Sequence, residues 1–311
     1  MTETRPVPQV RRACVLAWGG AAVSWELSSP GPLVPSLTSC AAFLLLATGC
    51  ALHMRQRLMG ELRRTQEIAG AAQSVLLRPL PARMEGLGLA AVHGTAVDGA
   101  SMGGDLYDAL ATPFGVRVVM GDVRGHGPGS LGAAAAVLGA FREAAYDEPA
   151  LGDVLRRLER ALHRASADPE EFVTVLLLEI TADGAVTAVN CGHPWPYLLS
   201  PTAAEVMVGD ETLPPLGVLP LPDKVESQAY VRLAPGEALF LHTDGVEDAR
   251  DRGGRHFPLG GVLAEAGCGA VTPARLVAGV HAALLRHAGG RPADDVALLV
   301  LRNDRLRPAG P

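Results

Sequence analysis

The stretch FVTVLLLEITADGAVTAVNCGHPWPYLLS, Phe172–Ser200, decides the architecture. Phe172–Ile180, Ala185–Asn190 and Tyr197–Leu199 are short apolar runs rich in β-branched residues, parted by Asp, Gly and Pro, and each reads as a strand. The next runs, Tyr230–Leu233 and Ala238–Thr243, follow with no segment of helical period between. Strand after strand without a helix is incompatible with regular βαβ alternation and predicts antiparallel sheets in an α+β fold. Working outward, Leu87–Val92, Val116–Gly121 and Ala297–Arg302 are further strands, while Gly132–Tyr146, Leu151–Ala165 and Pro273–His287 carry apolar residues at helical spacing.

Upstream of this body the character changes. Leu33–Met54, LVPSLTSCAAFLLLATGCALHM, contains no Asp, Glu, Lys or Arg and is long enough to cross a ~30 Å hydrocarbon core as a helix. A shorter apolar stretch, Ala13–Leu27, includes Glu26. Arg11 and Arg12 precede it, Arg55, Arg57, Arg63 and Arg64 follow Met54, and the SSPGP turn between is uncharged. Basic flanks at both ends predict an N-terminal membrane helical hairpin over residues 1–54, with one or two spans and the remainder of the chain cytoplasmic. A cleaved leader needs a small-x-small site that no run here supplies, and a buried core helix is the other reading of Leu33–Met54. Residues 55–82 read as a juxtamembrane linker helix, with Leu58, Leu62, Ile68, Ala72, Val75 and Leu76 on one face until Pro79 and Pro81 stop it. That helix is either a dimerising element, making the chain a homodimer, or a plain spacer. The body then occupies 83–303, and 304–311 is expected to be a disordered tail.

Composition excludes several functions. A net charge of -6 and a pI near 5.9 argue against the positive field that nucleic-acid binding needs. Cys14, Cys40, Cys50, Cys191 and Cys268 are scattered, odd in number and never in a CxxC pair, which argues against a disulfide framework or a zinc cluster.

Aspartates join strands and glycines in GGDLYD (Gly103–Asp108), VVMGDVRGHG (Val118–Gly127) and LFLHTDGVED (Leu239–Asp248), and Asp294-Asp295 precede the apolar run VALLVLR. Each of Asp105, Asp122, Asp244 and Asp294 is expected where a buried strand releases the chain at a loop. Any one of them is an ordinary turn signal, since aspartate bonds nearby backbone and glycine takes positive φ. Together they form a set of hard oxygen donors suited to Mg2+ or Mn2+.

The ordered blocks GGDLYDA, GDVRGHG, FVTVLLLEI, NCGHPWPYLL, PPLG, LFLHTDGVEDARD and DDVALLVLR resemble the metal-dependent protein phosphatases (type 2C, PPM), in the SpoIIE-like branch of bacterial stress and sporulation regulators. The resemblance spans Leu77 to Arg302. It implies a sandwich of two antiparallel β-sheets flanked by helices, with two Mn2+ or Mg2+ ions at one end. By the same resemblance Asp105 and Asp122 bridge or flank the metals, the Val123 carbonyl completes one coordination sphere, and Asp244 and Asp294 bind from later strands. These four aspartates form the implied catalytic set, and Asp295 supports them. Arg124 stands where some relatives place a histidine as general acid, which leaves the proton donor unassigned and suggests a phosphate contact instead. His126 is either a donor or a loop residue, and His193 is expected to shape a loop. Cys191 reads as a packing residue, because a cysteine phosphatase would need an arginine-ended phosphate loop that is absent here. Ala297 replaces a threonine common in the family, and Pro128-Gly129-Ser130 replaces the usual apolar start of the following helix. The helices after Leu131 and Leu151 are regulatory in that branch.

The implied activity is hydrolysis of phosphoserine or phosphothreonine on a small regulatory protein of the anti-sigma-factor-antagonist type. Two alternatives stand beside it. One is a catalytically silent, membrane-tethered partner-binding module, which would ordinarily lose an aspartate. The other is a different two-metal hydrolase, which would need a basic substrate groove. The space between the apolar segment and Leu87 is too short for a receiver, PAS-like or GAF-like domain.

Overall fold

Why the central runs are so uniformly apolar is answered by their layering. The computed structural model describes residues 43–60, 75–94, 103–125, 128–166, 170–209, 212–266, 271–290, 292 and 294–305. Its chain divides into two units, Met1–Arg64 and Thr65–Pro311. In the second unit the strands are β1 (Arg83–Met84), β2 (Leu87–Gly94), β3 (Asp105–Thr112), β4 (Gly115–Val123), β5 (Val173–Ile180), β6 (Ala185–Cys191), β7 (Tyr197–Leu199), β8 (Ala204–Val206), β9 (Gln228–Arg232), β10 (Ala238–His242) and β11 (Val296–Asn303). The helices are α1 (Pro128–Asp147), α2 (Leu151–Ala165), α3 (Asp244–Glu247), α4 (Leu259–Ala266) and α5 (Pro273–His287). One sheet runs β1-β2-β11-β10-β7-β8 and the other β3-β4-β5-β6-β9, with antiparallel pairing in both. The predicted α+β sandwich is therefore present.

Period-2 alternation divides the side chains of β11 between two cores. Ala297, Leu299 and Leu301 join the core between the sheets, whereas Val296, Leu298 and Val300 join a second core with Val277, Val280 and Leu284 of α5. Leu239 and Leu241 of β10 face the first core, and Ala238 and Phe240 the second. With both faces covered, the strand has no solvent side to mark with polar residues. The other sheet is covered in the same way: α1 packs on β3 and β4, and α2 on β5 and β6.

A buried arginine ties these layers together. Arg117 of β4 is fully buried and donates to Glu179 Oε2 of β5 at 2.6–2.8 Å. It also donates to the carbonyls of Ala145, Glu148 and Pro149, where α1 ends and α2 approaches. A second tie runs from Arg142 of α1 to Asp108 of β3 at 2.6 Å and to the Leu76 carbonyl at 2.8 Å. The end of the predicted linker thus meets α1.

Several sequence expectations are corrected. Asp105–Thr112 is a strand that pattern reading passes over, because DLYDALAT carries two aspartates; pairing Asp108 with Arg142 is what lets it be buried. Asp105 accordingly opens a strand instead of closing one. The first long helix starts at Pro128, before the expected Gly132, since a first-turn residue needs no amide donor. The short elements β8, α3 and α4 lie below the length at which periodicity is readable.

In the first unit, residues 43–60 form an exposed helix, and no helix among the described residues is long and apolar enough to cross a membrane. Only 43–54 of the expected Leu33–Met54 span is described; Ala13–Leu27, His126, residues 61–74 of the linker and 306–311 of the tail lie outside the described residues.

Candidate metal centre

Strand register brings the aspartates together. Asp122, next to last in β4, pairs directly with Asp105, first in β3. On the other sheet, β10 and β11 are antiparallel with His242 opposite Leu298, so the exit of β10 lies beside the entry to β11. Thr243 and Asp244 leave β10 there, and Asp294 and Asp295 lead into β11. The sheets meet at this end through Thr243, whose Oγ1 donates to Asp105 Oδ2 at 3.0 Å.

Close backbone approaches demand glycine at two points. A Cβ on Gly104 would overlap the Val123 carbonyl oxygen and press on Asp122 Oδ1. A Cβ on Gly245 would overlap the Asp295 carbonyl oxygen. The glycines of GGD and TDG thus bring the carboxylates' backbones close together, beyond any turn conformation they supply.

The carboxyls perturb one another. Burial, and then the charge of Asp122, push the Asp105 carboxyl well above its ordinary range, against a lowering hydrogen bond from Thr243. Burial raises Asp122 to about 7, assisted by Asp244, Asp294 and Asp295. Asp244 is raised by burial and by Asp294. No cationic side chain offsets Asp105, Asp122 or Asp244 among the described residues. Like charges brought together without a counter-charge are the arrangement a divalent cation would relieve.

The donor set fits hard cations: carboxylate oxygens with a backbone carbonyl, Val123, beside them. No three His, Cys, Asp or Glu side chains among the described residues form a ready ligand cluster. Mg2+ does not need one, because it keeps several waters and takes one or two carboxylates. Asp295 is buried while Asp294 is exposed, and Asp294 Oδ1 accepts from the Asp295 amide at 2.8 Å. Asp295 acts electrostatically on Asp105 and Asp122, and Asp294 on Asp122 and Asp244.

The other sequence candidates fall on either side of this cluster. Arg124 is exposed; its guanidinium donates to the Glu170 carbonyl at 3.1 Å and lies 5.4 Å from the Phe172 ring centre. His193 is buried, with Nδ1 3.0 Å from Thr174 Oγ1, and Thr174 Oγ1 in turn accepts from the Asp122 amide at 3.2 Å. Burial lowers His193 to about 3, so it is neutral at physiological pH. Cys191 is fully buried in the core between the sheets, and burial raises its thiol to about 12, both in agreement with a packing role. Sequence reasoning passes over Thr174 and Thr243, since a threonine in a strand looks like an ordinary β-former.

The fold is that of the PP2C-type phosphatase domains. Within that class the chain belongs to the SpoIIE family, whose profile, described as Stage II sporulation protein E, matches residues 112–304. Asp105 lies just outside the matched range. Similar solved structures include the SiaA-PP2C domain of Pseudomonas aeruginosa, at 19% identity and TM-score 0.63, covering 80% of this chain and 98% of that one. The RsbU and RsbW domains of a Mycobacterium tuberculosis protein align at 24% identity and TM-score 0.59, covering 70% of this chain. This chain spans 60% of the length of that one. A magnesium complex of RsbX aligns at 18% identity and TM-score 0.52, covering 70% of this chain and 96% of that one.

Proposed function

We propose that this chain hydrolyses phosphoserine or phosphothreonine on a small regulatory protein of the anti-sigma-factor-antagonist type, with two Mn2+ or Mg2+ ions. The observation that carries the reading is the convergence of Asp105, Asp122, Asp244, Asp294 and Asp295 from both sheets, with no cation offsetting Asp105, Asp122 or Asp244 among the described residues. Asp105, Asp122, Asp244 and Asp294, with the Val123 carbonyl, would hold the ions, and Asp295 would add negative field. Bound there, the ions supply Lewis-acid charge for the phosphoryl oxygens and an acidified water.

The residues around them do the rest. Burial of Asp105 keeps its carboxylate desolvated, so its attraction for a cation is little screened. Arg124, at the open end of β4, orients the phosphate once its guanidinium leaves Glu170. The RsbU and RsbW domains found together in one structural relative support a partner in sigma-factor control, and the magnesium in RsbX supports the choice of ion. The run Leu33–Met54, free of Asp, Glu, Lys and Arg and followed by Arg55, Arg57, Arg63 and Arg64, supports a cell-membrane anchor with the phosphatase unit cytoplasmic.

The test is turnover of a phosphoserine peptide, p-nitrophenyl phosphate and a phosphorylated anti-sigma-factor antagonist by the full chain, in Mn2+ or in EDTA. Asp122→Ala and Asp244→Ala serve as controls. Expected is Mn2+-dependent hydrolysis that either substitution abolishes. A folded, Mn2+-loaded chain that binds the phosphoprotein without turnover would replace this reading with the partner-binding module.

A further inference from the structure

Thr243 is fully buried between the sheets, and its hydroxyl has two partners. The Ala297 amide donates to Thr243 Oγ1 at 2.9 Å, which occupies a lone pair because an N–H can only donate. The hydroxyl's single proton then points to Asp105 Oδ2 at 3.0 Å. With Asp105 ionised, as a metal ligand is, polarity is fixed along the chain Ala297 amide, Thr243 hydroxyl, Asp105 carboxylate. It runs from the backbone of β11 to the first residue of β3, on the opposite sheet. The Thr243 amide also donates to the Ala297 carbonyl at 3.2 Å, so the backbone that carries the hydroxyl is itself pinned to β11.

Resting on the reading of these carboxylates as metal ligands, we propose that Thr243 is a positioning residue of the metal centre, which fixes the Asp105 carboxylate through Oδ2 and leaves Oδ1 to the cation. Asp105 needs such a restraint because the charges of Asp122, Asp244 and Asp295 all repel it. The same hydroxyl couples it to β11, the strand that Asp294 and Asp295 enter. One hydroxyl thus ties the Asp105 carboxylate on one sheet to the strand on the other that Asp294 and Asp295 enter. Valine has nearly the shape of threonine; in its place the Ala297 amide would be buried without an acceptor and Asp105 free to turn from its neighbours.

Mn2+ affinity of the full-length chain, measured calorimetrically after EDTA treatment, tests this in Thr243→Val, Thr243→Ser and Asp105→Asn. Outer partners of metal ligands typically contribute about 10–100-fold in affinity, and the valine variant is expected to lose that much. Serine keeps the hydroxyl and is expected to stay within a few-fold of the parent, while Asp105→Asn loses at least as much as valine. Valine at parental affinity beside a weakened Asp105→Asn overturns the positioning role and leaves the metal centre standing. Parental affinity in Asp105→Asn overturns the ligand reading and this inference with it. If the valine variant does not fold, the serine variant decides, because a loss as deep as that of Asp105→Asn overturns the proposal.

Discussion

Asp105 and Asp122 stand directly opposite one another across the β3–β4 ladder, two carboxylates in cross-strand register. Like charges so placed destabilise a sheet. Burial adds to the effect, and the pair is held by the fold around it.

Relief of that repulsion gives the first prediction. At alkaline pH, where the carboxyls ionise, Asp105→Asn is expected to stabilise the EDTA-treated protein by about 0.2–1 kcal/mol, the usual scale of a cross-strand charge pair, while removing phosphatase activity. Chemical denaturation in EDTA measures the change. A variant less stable than the parent would show that the pair is not under electrostatic strain.

Protonation gives the second. Asp122, raised from 3.8 to about 7, keeps in the folded state a proton that the unfolded chain has released. Its contribution to stability is full below about 3.8 and is lost as pH rises through about 7. The metal-free protein should therefore lose melting temperature between pH 6.5 and pH 8. Added Mn2+, which competes with that proton, should restore more at pH 8 than at pH 6.5. Equal gains at both values would argue that the ion does not displace it.

Gly245 yields the third. Its contact with the Asp295 carbonyl leaves no space for a methyl group, so Gly245→Ala must push α3 away from the approach to β11. A stability loss of about 1–3 kcal/mol is expected from the overpacking. Mn2+ binding should weaken as Asp244 moves. Parental stability and Mn2+ affinity together would contradict the close approach.

Away from the metal centre, Arg117→Met removes the buried clamp and leaves Glu179 and the carbonyls of Ala145, Glu148 and Pro149 without their donor. Breaking one side of a buried pair costs about 3–5 kcal/mol. Urea unfolding measures it. A loss under about 1 kcal/mol would mean that the carbonyls find other donors.

The N-terminal reading is tested by fractionation. The full chain should sediment with membranes and leave them in detergent but not in high salt, and removing residues 1–54 should make it soluble. Release by salt alone would indicate peripheral attachment.

Much of the architecture follows from the sequence alone, because period and composition are local signals. The helix-free succession from Phe172 to Thr243 required antiparallel sheets, and the Asp-Gly motifs marked the residues that converge. What only the tertiary structure decided depends on partners distant in the chain. Strand β3 is legible once Arg142, in a helix, is seen to neutralise Asp108. Thr243 looks like any strand threonine until Asp105, well over a hundred residues earlier, is found at its hydroxyl. Burial of Asp295 and exposure of Asp294, adjacent and identical in type, are likewise set by where β11 enters the sheet. Sequence pattern reports which face of an element is apolar; a hydrogen bond between two sheets depends on packing that no local pattern encodes.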